Sequence, residues 1–294
     1  MTLEQLRVFV AVAEQEHMTR AAGLLNLTQS ATSAAVAALE DRYGIKLFDR
    51  VGRSIKLTDA GRQFVVEARA VLARAAAAEA VLTDLTGLAR GSLIIAASQT
   101  VGNYWLPPLV HSFHQRYPGI GITLKLGNTE QVATWIHGSV ADFGFIEREI
   151  EDSELSIERI ANDELALVVG ASHPWASRRE ITPEELKTAQ WVVREQGSGT
   201  RYMLETALAN LGISRDDITV ALEFPSNESV RAAVIAGAGA TIISRIVVAS
   251  LLNTGTLAEI AIPLPTRSFF MLRHKKRHVT NAEREFERSI NNPR

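Results

Sequence analysis

The chain has 294 residues, about two average domains, with 46% hydrophobic and 22% charged side chains, the balance of a folded globular protein. It holds no cysteine, which excludes disulfides, thiolate zinc sites, iron–sulfur clusters and thiol catalysis. A formal net charge of -2 at pH 7 argues, taken as an average, against a dedicated nucleic-acid binder.

Met1 to Arg7 carries an acid ahead of a short apolar run, without the basic n-region or cleavage site of an export signal. Leu6, Phe9, Val10 and Ala13 repeat at three and four and predict a first helix. A second, short helix fits Thr19 to Leu25, with Thr19 as its cap. Asn26 and Leu27 break it. Thr28 can then cap a third helix through Ala31, Ala34, Ala35 and Ala38 to about Tyr43, where Gly44 stops it. Two short helices on a tight turn, the second carrying Gln29, Ser30, Thr32 and Ser33, have the shape of a helix-turn-helix. Ile45 to Phe48 and Ser54 to Leu57 are short alternating segments that predict a two-stranded wing. Thr58 or Asp59 caps a long helix to about Leu85, with Val65, Ala68, Leu72, Ala75, Glu79 and Leu82 along one seam. That pattern suits a dimer-forming coiled coil, the alternative being an ordinary core helix.

Residues 87–91 read as a hinge, and beyond them strands and helices alternate. Strands are expected at Leu93–Ala97, Ile122–Leu126, Phe143–Ile146, Leu165–Val169, Trp191–Val193, Ala240–Ile243 and Phe269–Arg273. Helices are expected at Tyr104–Arg116, Thr129–His137, Tyr202–Leu211 and Val230–Ala236. The alternation predicts an α/β architecture of parallel sheets with helices on both faces, in one domain or, as favoured here, two lobes with a cleft. The longest apolar stretch, Ala232 to Ile243, is too short for a membrane span.

The near-neutral average conceals a basic window. Arg42, Lys46, Arg50, Arg53, Lys56 and Arg62 face only Asp49 and Asp59 between residues 42 and 62. Behind a helix-turn-helix such a wing would grip phosphates, while short polar side chains of the third helix reach base edges in the major groove.

Over its whole length the sequence resembles a LysR-type transcriptional regulator. The resemblance rests on Leu3-Glu4-Gln5-Leu6, Phe9, Ala11-Val12-Ala13-Glu14, Thr19, Ala21-Ala22, Leu25, Thr28-Gln29-Ser30-Ala31, Ser33, Leu39-Glu40, Gly44, Leu47-Phe48-Asp49-Arg50, Arg53, Leu57-Thr58 and Ala60-Gly61. It implies an α-rich N-terminal winged helix-turn-helix over residues 1–58 and a linker helix with hinge over 59–90. The remainder, 91–294, would be a two-lobed effector domain like a periplasmic binding protein: lobe I about 91–161 and 267–294, lobe II about 162–266. DNA-binding residues are then Thr28, Gln29, Ser30, Thr32, Ser33, Arg50 and Arg53. The chain departs from the family where Ala34, Ala35 and Ala37 replace long polar side chains, leaving fewer groups to read bases and more weight on DNA shape.

Ser98-Gln99-Thr100 and Ser198-Gly199-Thr200 each follow a strand and precede a helix, one in each half. Hydroxyls and free N–H groups at two helix N-termini favour a shared anionic ligand over two independent caps. Arg194 and Arg201 could supply charge or pair with Glu195 and Glu205. Within the family, these segments with Asn103-Tyr104-Trp105-Leu106-Pro107, Gly127-Asn128 and Gly144-Phe145-Ile146-Glu147 are similar to a subgroup associated with sulfur-assimilation control. That resemblance implies sulfite or sulfate as effector, with Asn128, Glu147 and Asn227 also lining the cleft. An organic carboxylate or amino acid is the alternative ligand.

An enzyme reading finds no triad around Ser198, and Gly237-Ala238-Gly239 is not a dinucleotide fingerprint. The pairs His111/His114 and His274/His278 suggest surface histidines before a metal site. The expected protein is a cytoplasmic regulator without cofactor, binding promoter DNA and a small anion, assembled as a homodimer or homotetramer and touching RNA polymerase.

Overall fold

The computed structural model describes residues 1–51, 54–84, 91–178 and 180–291. The chain forms two compact units, one essentially Met1–Leu85, the other Thr86–His137 with Ala141–Arg294.

In the first unit, α1 (Leu3–Gln15) opens on a capping box between Thr2 and Gln5 and buries Leu6, Val8, Phe9, Val12 and Ala13. α2 (Met18–Leu24) starts one residue before expectation, because the His17 ring rather than Thr19 accepts the Arg20 N–H. α3 (Gln29–Tyr43) is capped by Thr28 and closed by Gly44 at φ 65°, a left-handed residue that glycine adopts without a Cβ clash. β1 (Phe48–Val51) pairs antiparallel with β2 (Ser54–Leu57), Phe48 opposite Leu57. The first wing strand thus begins at Phe48 and not at Ile45. The cause is Glu40, whose Oε1 takes the N–H groups of Leu47 at 2.8 Å and Phe48 at 3.2 Å and holds that segment against α3.

α4 (Asp59–Asp84) is capped by Thr58, whose Oγ1 accepts the Gly61 N–H at 3.0 Å. A Cβ on Gly61 would lie 2.1 Å from the Leu47 carbonyl oxygen, so glycine lets α4 close on the wing. Phe9 stacks obliquely on Phe48 and Phe64 at 5.4 and 5.0 Å within a core completed by Val36, Leu39, Leu47, Val65 and Ala68. Farther along α4, Val71 and Leu82 are exposed.

The second unit continues as β3 (Gly91–Ser98), a π-turn (Val101–Trp105), α5 (Leu106–Arg116), β4 (Ile120–Gly127), α6 (Thr129–His137), β5 (Phe143–Ile146) and β6 (Leu155–Asp163). The chain then builds β7 (Leu165–Gly170), α7 (Pro183–Thr188), β8 (Gln190–Arg194), α8 (Gly199–Asn210) and β9 (Thr219–Phe224). α9 (Asn227–Ile235), β10 (Ala240–Ser244), α10 (Arg245–Asn253) and β11 (Leu257–Ile260) complete that lobe, and β12 (Arg267–His274) with α11 (Asn281–Asn291) returns to the first.

Two five-stranded sheets result, ordered β4-β3-β5-β12-β6 in lobe I and β11-β7-β10-β8-β9 in lobe II. They are mixed, not purely parallel as the alternation predicted. β3, β4 and β5 run parallel, as do β8, β9 and β10, but β12 is antiparallel to β5 and β6, and β7 to β10 and β11. A strand arriving from the other lobe has no βαβ crossover to impose its direction. At the crossing the Arg267 Nε donates to Asp163 at 2.6 Å, and the Ser244 hydroxyl donates to the same carboxylate at 2.7 Å. Phe143, Phe145, Phe269 and Phe286 fill lobe I, and Trp191, Leu204 and Ile242 fill lobe II. Among the described residues, no helix is long and apolar enough to cross a membrane.

Candidate functional site

α3 presents Thr28, Gln29 and Ser30 to solvent and Ser33 half-buried. Gln29 Nε2 donates to Ser33 Oγ at 2.8 Å, and the Thr28 and Ser30 hydroxyls share a hydrogen bond at 3.0 Å, so a polar ridge is preformed at the N-terminal end of α3. Thr32 is fully buried and its hydroxyl donates to the Thr28 carbonyl at 3.1 Å. It lies on the face of Val36 and Leu39 and stiffens the first turn from within. Ala34 and Ala37 are exposed. Of the basic window, Arg62 pairs with Asp59 and Lys46 with Glu40, while Lys56 on β2 is exposed. Arg50 lies on β1; Arg53 lies outside the described residues, as do the hinge positions 87–90.

In the second unit each of the two segments singled out by symmetry is tied to residues of the other lobe and not to its counterpart, Thr100 to Asn227 and Thr200 to Glu147. Gln99, just beyond β3, accepts the Asn227 N–H at 3.1 Å and donates to the Pro225 carbonyl at 2.8 Å. Asn227 is fully buried: its Nδ2 donates to Thr100 Oγ1 at 3.0 Å and its Oδ1 accepts from Arg194 at 2.6 Å. Glu195 holds the same guanidinium through two bonds at 2.8 and 3.0 Å. Arg201 is likewise buried and neutralised by Glu205 and Glu223. Both arginines are therefore occupied within lobe II. Nearer the other end, Asn128 Nδ2 reaches Glu195 and the Gln196 carbonyl at 3.4 Å, while its Oδ1 caps α6 through the Gln131 N–H.

The same strand-to-helix junctions and the end of β5 also carry buried polar atoms. Ser98 Oγ, Thr129 Oγ1, Ser198 Oγ and Glu147 Oε2 make no hydrogen bond among the described residues. Thr200 Oγ1 donates to the other Glu147 oxygen at 3.3 Å. A Cβ on Gly199 would fall 2.7 Å from Glu147 Cγ and 2.9 Å from Thr129 Oγ1, so α8 enters at a distance only glycine permits. Glu147 is buried, and burial pushes its carboxyl above the usual carboxylate range against the opposing pull of Arg267, Arg194 and Thr200. Buried hydroxyls without partners are costly in a folded protein. Three such hydroxyls and one carboxyl oxygen stand on segments of both lobes. Thr129 was not among the residues singled out in the sequence; its signal is that it follows Asn128 at a strand-to-helix junction, as Thr100 follows Gln99.

Residues 3–62 match the family model described as bacterial regulatory helix-turn-helix protein, lysR family, and residues 86–292 match the LysR substrate binding domain. The chain belongs to the LysR family of transcriptional regulators. It is 36% identical over 288 residues to the uncharacterized HTH-type transcriptional regulator YeiE of Escherichia coli K12, covering 97% of this chain and 96% of that one. The RuBisCO operon transcriptional regulator of Allochromatium vinosum is 35% identical, with 97% and 95% covered. The HTH-type transcriptional regulator CysL of Bacillus subtilis is 33% identical, with 83% and 81% covered. Full-length CbnR, solved with its target DNA, shares the fold at a TM-score of 0.70 and 21% identity, with 99% of each chain covered. The regulatory domain of Synechocystis PCC6803 CcmR in complex with 2-PG shares it at 0.62 and 24% identity, covering 69% of this chain and 96% of that one.

This LysR-family chain is accordingly a DNA-binding transcriptional regulator with an effector-binding domain. Its relatives named above are regulators and not enzymes, in keeping with the absence of a triad around Ser198. The second unit is two-lobed and the helix-turn-helix stands at the N-terminus, as the fold class read from the sequence has it.

Proposed function

We propose that this regulator senses a small inorganic oxyanion of sulfur, sulfite or sulfate, held between the lobes of its second unit. The observation that carries the reading is the set of four buried polar atoms without partners, Ser98 Oγ, Thr129 Oγ1, Ser198 Oγ and Glu147 Oε2. A tetrahedral or pyramidal oxyanion accepts several hydrogen bonds from all sides, and hydroxyls supply them. α6 and α8 begin at Thr129 and Gly199, and a helix leaves its first N–H groups free for such an acceptor. Ser198 makes no capping bond of its own, which keeps that end of α8 open. Because Arg194 and Arg201 are already neutralised, charge is balanced by dipoles and by a protonated Glu147 that donates where an ionised one would repel. Ser98, Thr129, Ser198, Gly199, Thr200 and Glu147 contact the ion in this reading; Gln99, Thr100, Asn128 and Asn227 tie the lobes in the closed arrangement.

DNA is read by the polar ridge Thr28, Gln29, Ser30 and Ser33, with Arg50 and Arg53 on phosphates. A homodimer through the exposed apolar residues farther along α4, Val71 and Leu82, or a tetramer of two such dimers, places two copies of α3 in successive major grooves of an inverted repeat. Effector binding shifts the arrangement only by its unequal affinity for the two states, and the shift is transmitted to DNA bending and RNA polymerase.

The test is a thermal-shift screen of the full chain against sulfite, sulfate, thiosulfate, phosphate and small carboxylates, with Thr100→Ala and Thr200→Ala beside it. Sulfite or sulfate should raise the midpoint of the parent and raise it less in the variants. Equal stabilisation of all three proteins removes the cleft; stabilisation by carboxylates alone removes the sulfur oxyanion.

A further inference from the structure

Imidazole chemistry also gathers at one end of lobe I, away from the cleft. His137 is the last residue of α6, Asp152 and Glu154 lie between β5 and β6, and His274 is the last residue of β12. The β12–β6 register sets His274 opposite Leu155 and so beside the 152–154 segment. One donor atom each from His137, Glu154 and His274 lie within 4.8 Å of one another. His137 Nδ1 is 3.6 Å from Glu154 Oε2. Donors bound to one tetrahedral zinc ion stand roughly 3.3 Å apart, so small rotations of exposed side chains close the remaining gap.

A second feature is independent of that clustering. His137 Nε2 lies 2.5 Å from Asp152 Oδ2. The other Asp152 oxygen is fixed by the N–H groups of Glu154 at 2.9 Å and Leu155 at 3.3 Å. In the neutral tautomer that donates its Nε2–H to this carboxylate, His137 keeps an Nδ1 lone pair facing Glu154. That is the outer-shell arrangement by which metal-binding histidines are oriented and made more basic.

We propose that His137, Glu154 and His274 form a site for a divalent transition metal of the zinc class, with Asp152 positioning His137 and water completing the coordination. Two imidazoles and one carboxylate with an open position suit zinc, nickel or cobalt and not the all-oxygen preference of calcium or magnesium. Lys276 is the competing group. Its ammonium stands 3.9 Å from Glu154 Oε1, leaving Oε2 for the metal, and its N–H donates to His274 Nδ1 at 3.2 Å. His274 gives up that exposed contact whichever nitrogen it uses. The fold thus joins His274 to His137, not to His278, the partner its sequence neighbourhood suggested. The ion would fasten the far end of α6, whose first residue is Thr129 of the cleft, to β12.

The test is zinc binding by the metal-free full chain in competition with a chromogenic chelator, with cobalt as a spectroscopic substitute. The parent should bind one equivalent and give the intense visible band of tetrahedral cobalt. His137→Ala and His274→Ala should weaken zinc binding at least about tenfold, and Asp152→Ala about 10- to 100-fold, while His111→Ala with His114→Ala leaves it unchanged. Circular dichroism of each variant confirms its fold. Failure of the parent to bind zinc, or equal binding by the parent and the His137→Ala/His274→Ala double variant, overturns the proposal.

Discussion

Thr200, at the start of α8, donates its hydroxyl proton to Glu147 Oε1 at 3.3 Å, joining lobe II to a carboxyl group that lobe I buries. Burial raises the Glu147 carboxyl above its ordinary range, so folding shifts the group toward its protonated form. Protonated, the group donates to an anion. Glu147→Gln should therefore keep sulfate binding near the level the parent shows with Glu147 protonated, and Thr200→Ala should weaken it by about tenfold, the worth of one hydrogen bond of roughly 1–1.5 kcal/mol. In the parent, binding should weaken as rising pH ionises Glu147, and Glu147→Gln should lack that dependence. Calorimetric titration with sulfate, whose own charge is constant across the neutral range, reads both. A Glu147→Gln protein with the parental pH profile would remove the carboxyl from the site.

Gly199 has no room for a side chain. An alanine there would press its Cβ on Glu147 Cγ at 2.7 Å and Thr129 Oγ1 at 2.9 Å. Overpacking of this kind costs about 1–3 kcal/mol unless the parts separate. Gly199→Ala should abolish the ligand-induced thermal shift while DNA binding measured without ligand stays within about twofold. Loss of both would show that α8 supports the whole chain and not the cleft alone.

Glu40 sets the start of the wing. Burial works to raise its carboxyl, but the Lys46 ammonium and the N–H groups of Leu47 and Phe48 outweigh that and hold it below the usual range. The folded state therefore prefers the ionised form, and its contribution is complete above the ordinary carboxylate pKa and lost as pH falls through the lowered one. Glu40→Ala should destabilise the first unit by about 1–3 kcal/mol, because two N–H groups lose their acceptor. Hydrogen exchange at Leu47 and Phe48 should lose protection in the variant and, in the parent, as pH falls below the ordinary carboxylate range. Unchanged exchange at those two amides would count against the role.

The start of β1 illustrates where sequence reading stopped. α3 was legible at both ends because its signals, Thr28 and Gly44, are local. The Glu40 bonds to residues seven and eight positions on have no local signature, so Ile45 to Leu47 read as strand. Thr32 did carry one: it is four and seven residues before Val36 and Leu39 and so shares their buried face. In the cleft, the paired Ser-x-Thr segments were visible as strand-to-helix junctions. The Thr100–Asn227–Arg194 chain was not, since its links span 127 and 33 positions and met only when the lobes folded. The mixed sheets escaped for the same reason, each antiparallel partner coming from a chain crossing between lobes.

The wing contributes charge in the proposed DNA complex. Each phosphate contact removed should lower the slope of log affinity against log salt by about 0.9. Arg50→Ala and Arg53→Ala should each do so and should weaken binding similarly on all operator sequences. Gln29→Ala should instead relax discrimination with little change in slope, since base contacts specify and phosphate contacts position. Fluorescence anisotropy across a salt series, on operator and scrambled duplexes, separates the two effects. An unchanged slope for both arginine variants would take the wing off the backbone.

Glu283, near the start of α11, shows the opposite behaviour to Glu40. It is 1% exposed, and burial raises its carboxyl to about 7 despite the neighbouring Arg277, with Asp142 adding to the rise. The folded state therefore holds a proton that the unfolded chain releases at the ordinary value of 4.5. Stability from this group is fully present below the unfolded value and is lost as pH rises through about 7. The difference corresponds to an effect on the order of 3 kcal/mol. Glu283→Gln keeps the size and removes the titration. It should leave unfolding midpoints near parental at pH 5 and raise them relative to the parent at pH 8. Urea unfolding at the two pH values, followed by the fluorescence of Trp105, which packs on Phe145 and Phe269 in the same lobe, measures the change. Equal stability of parent and variant at both pH values would mean that Arg277 keeps Glu283 ionised throughout.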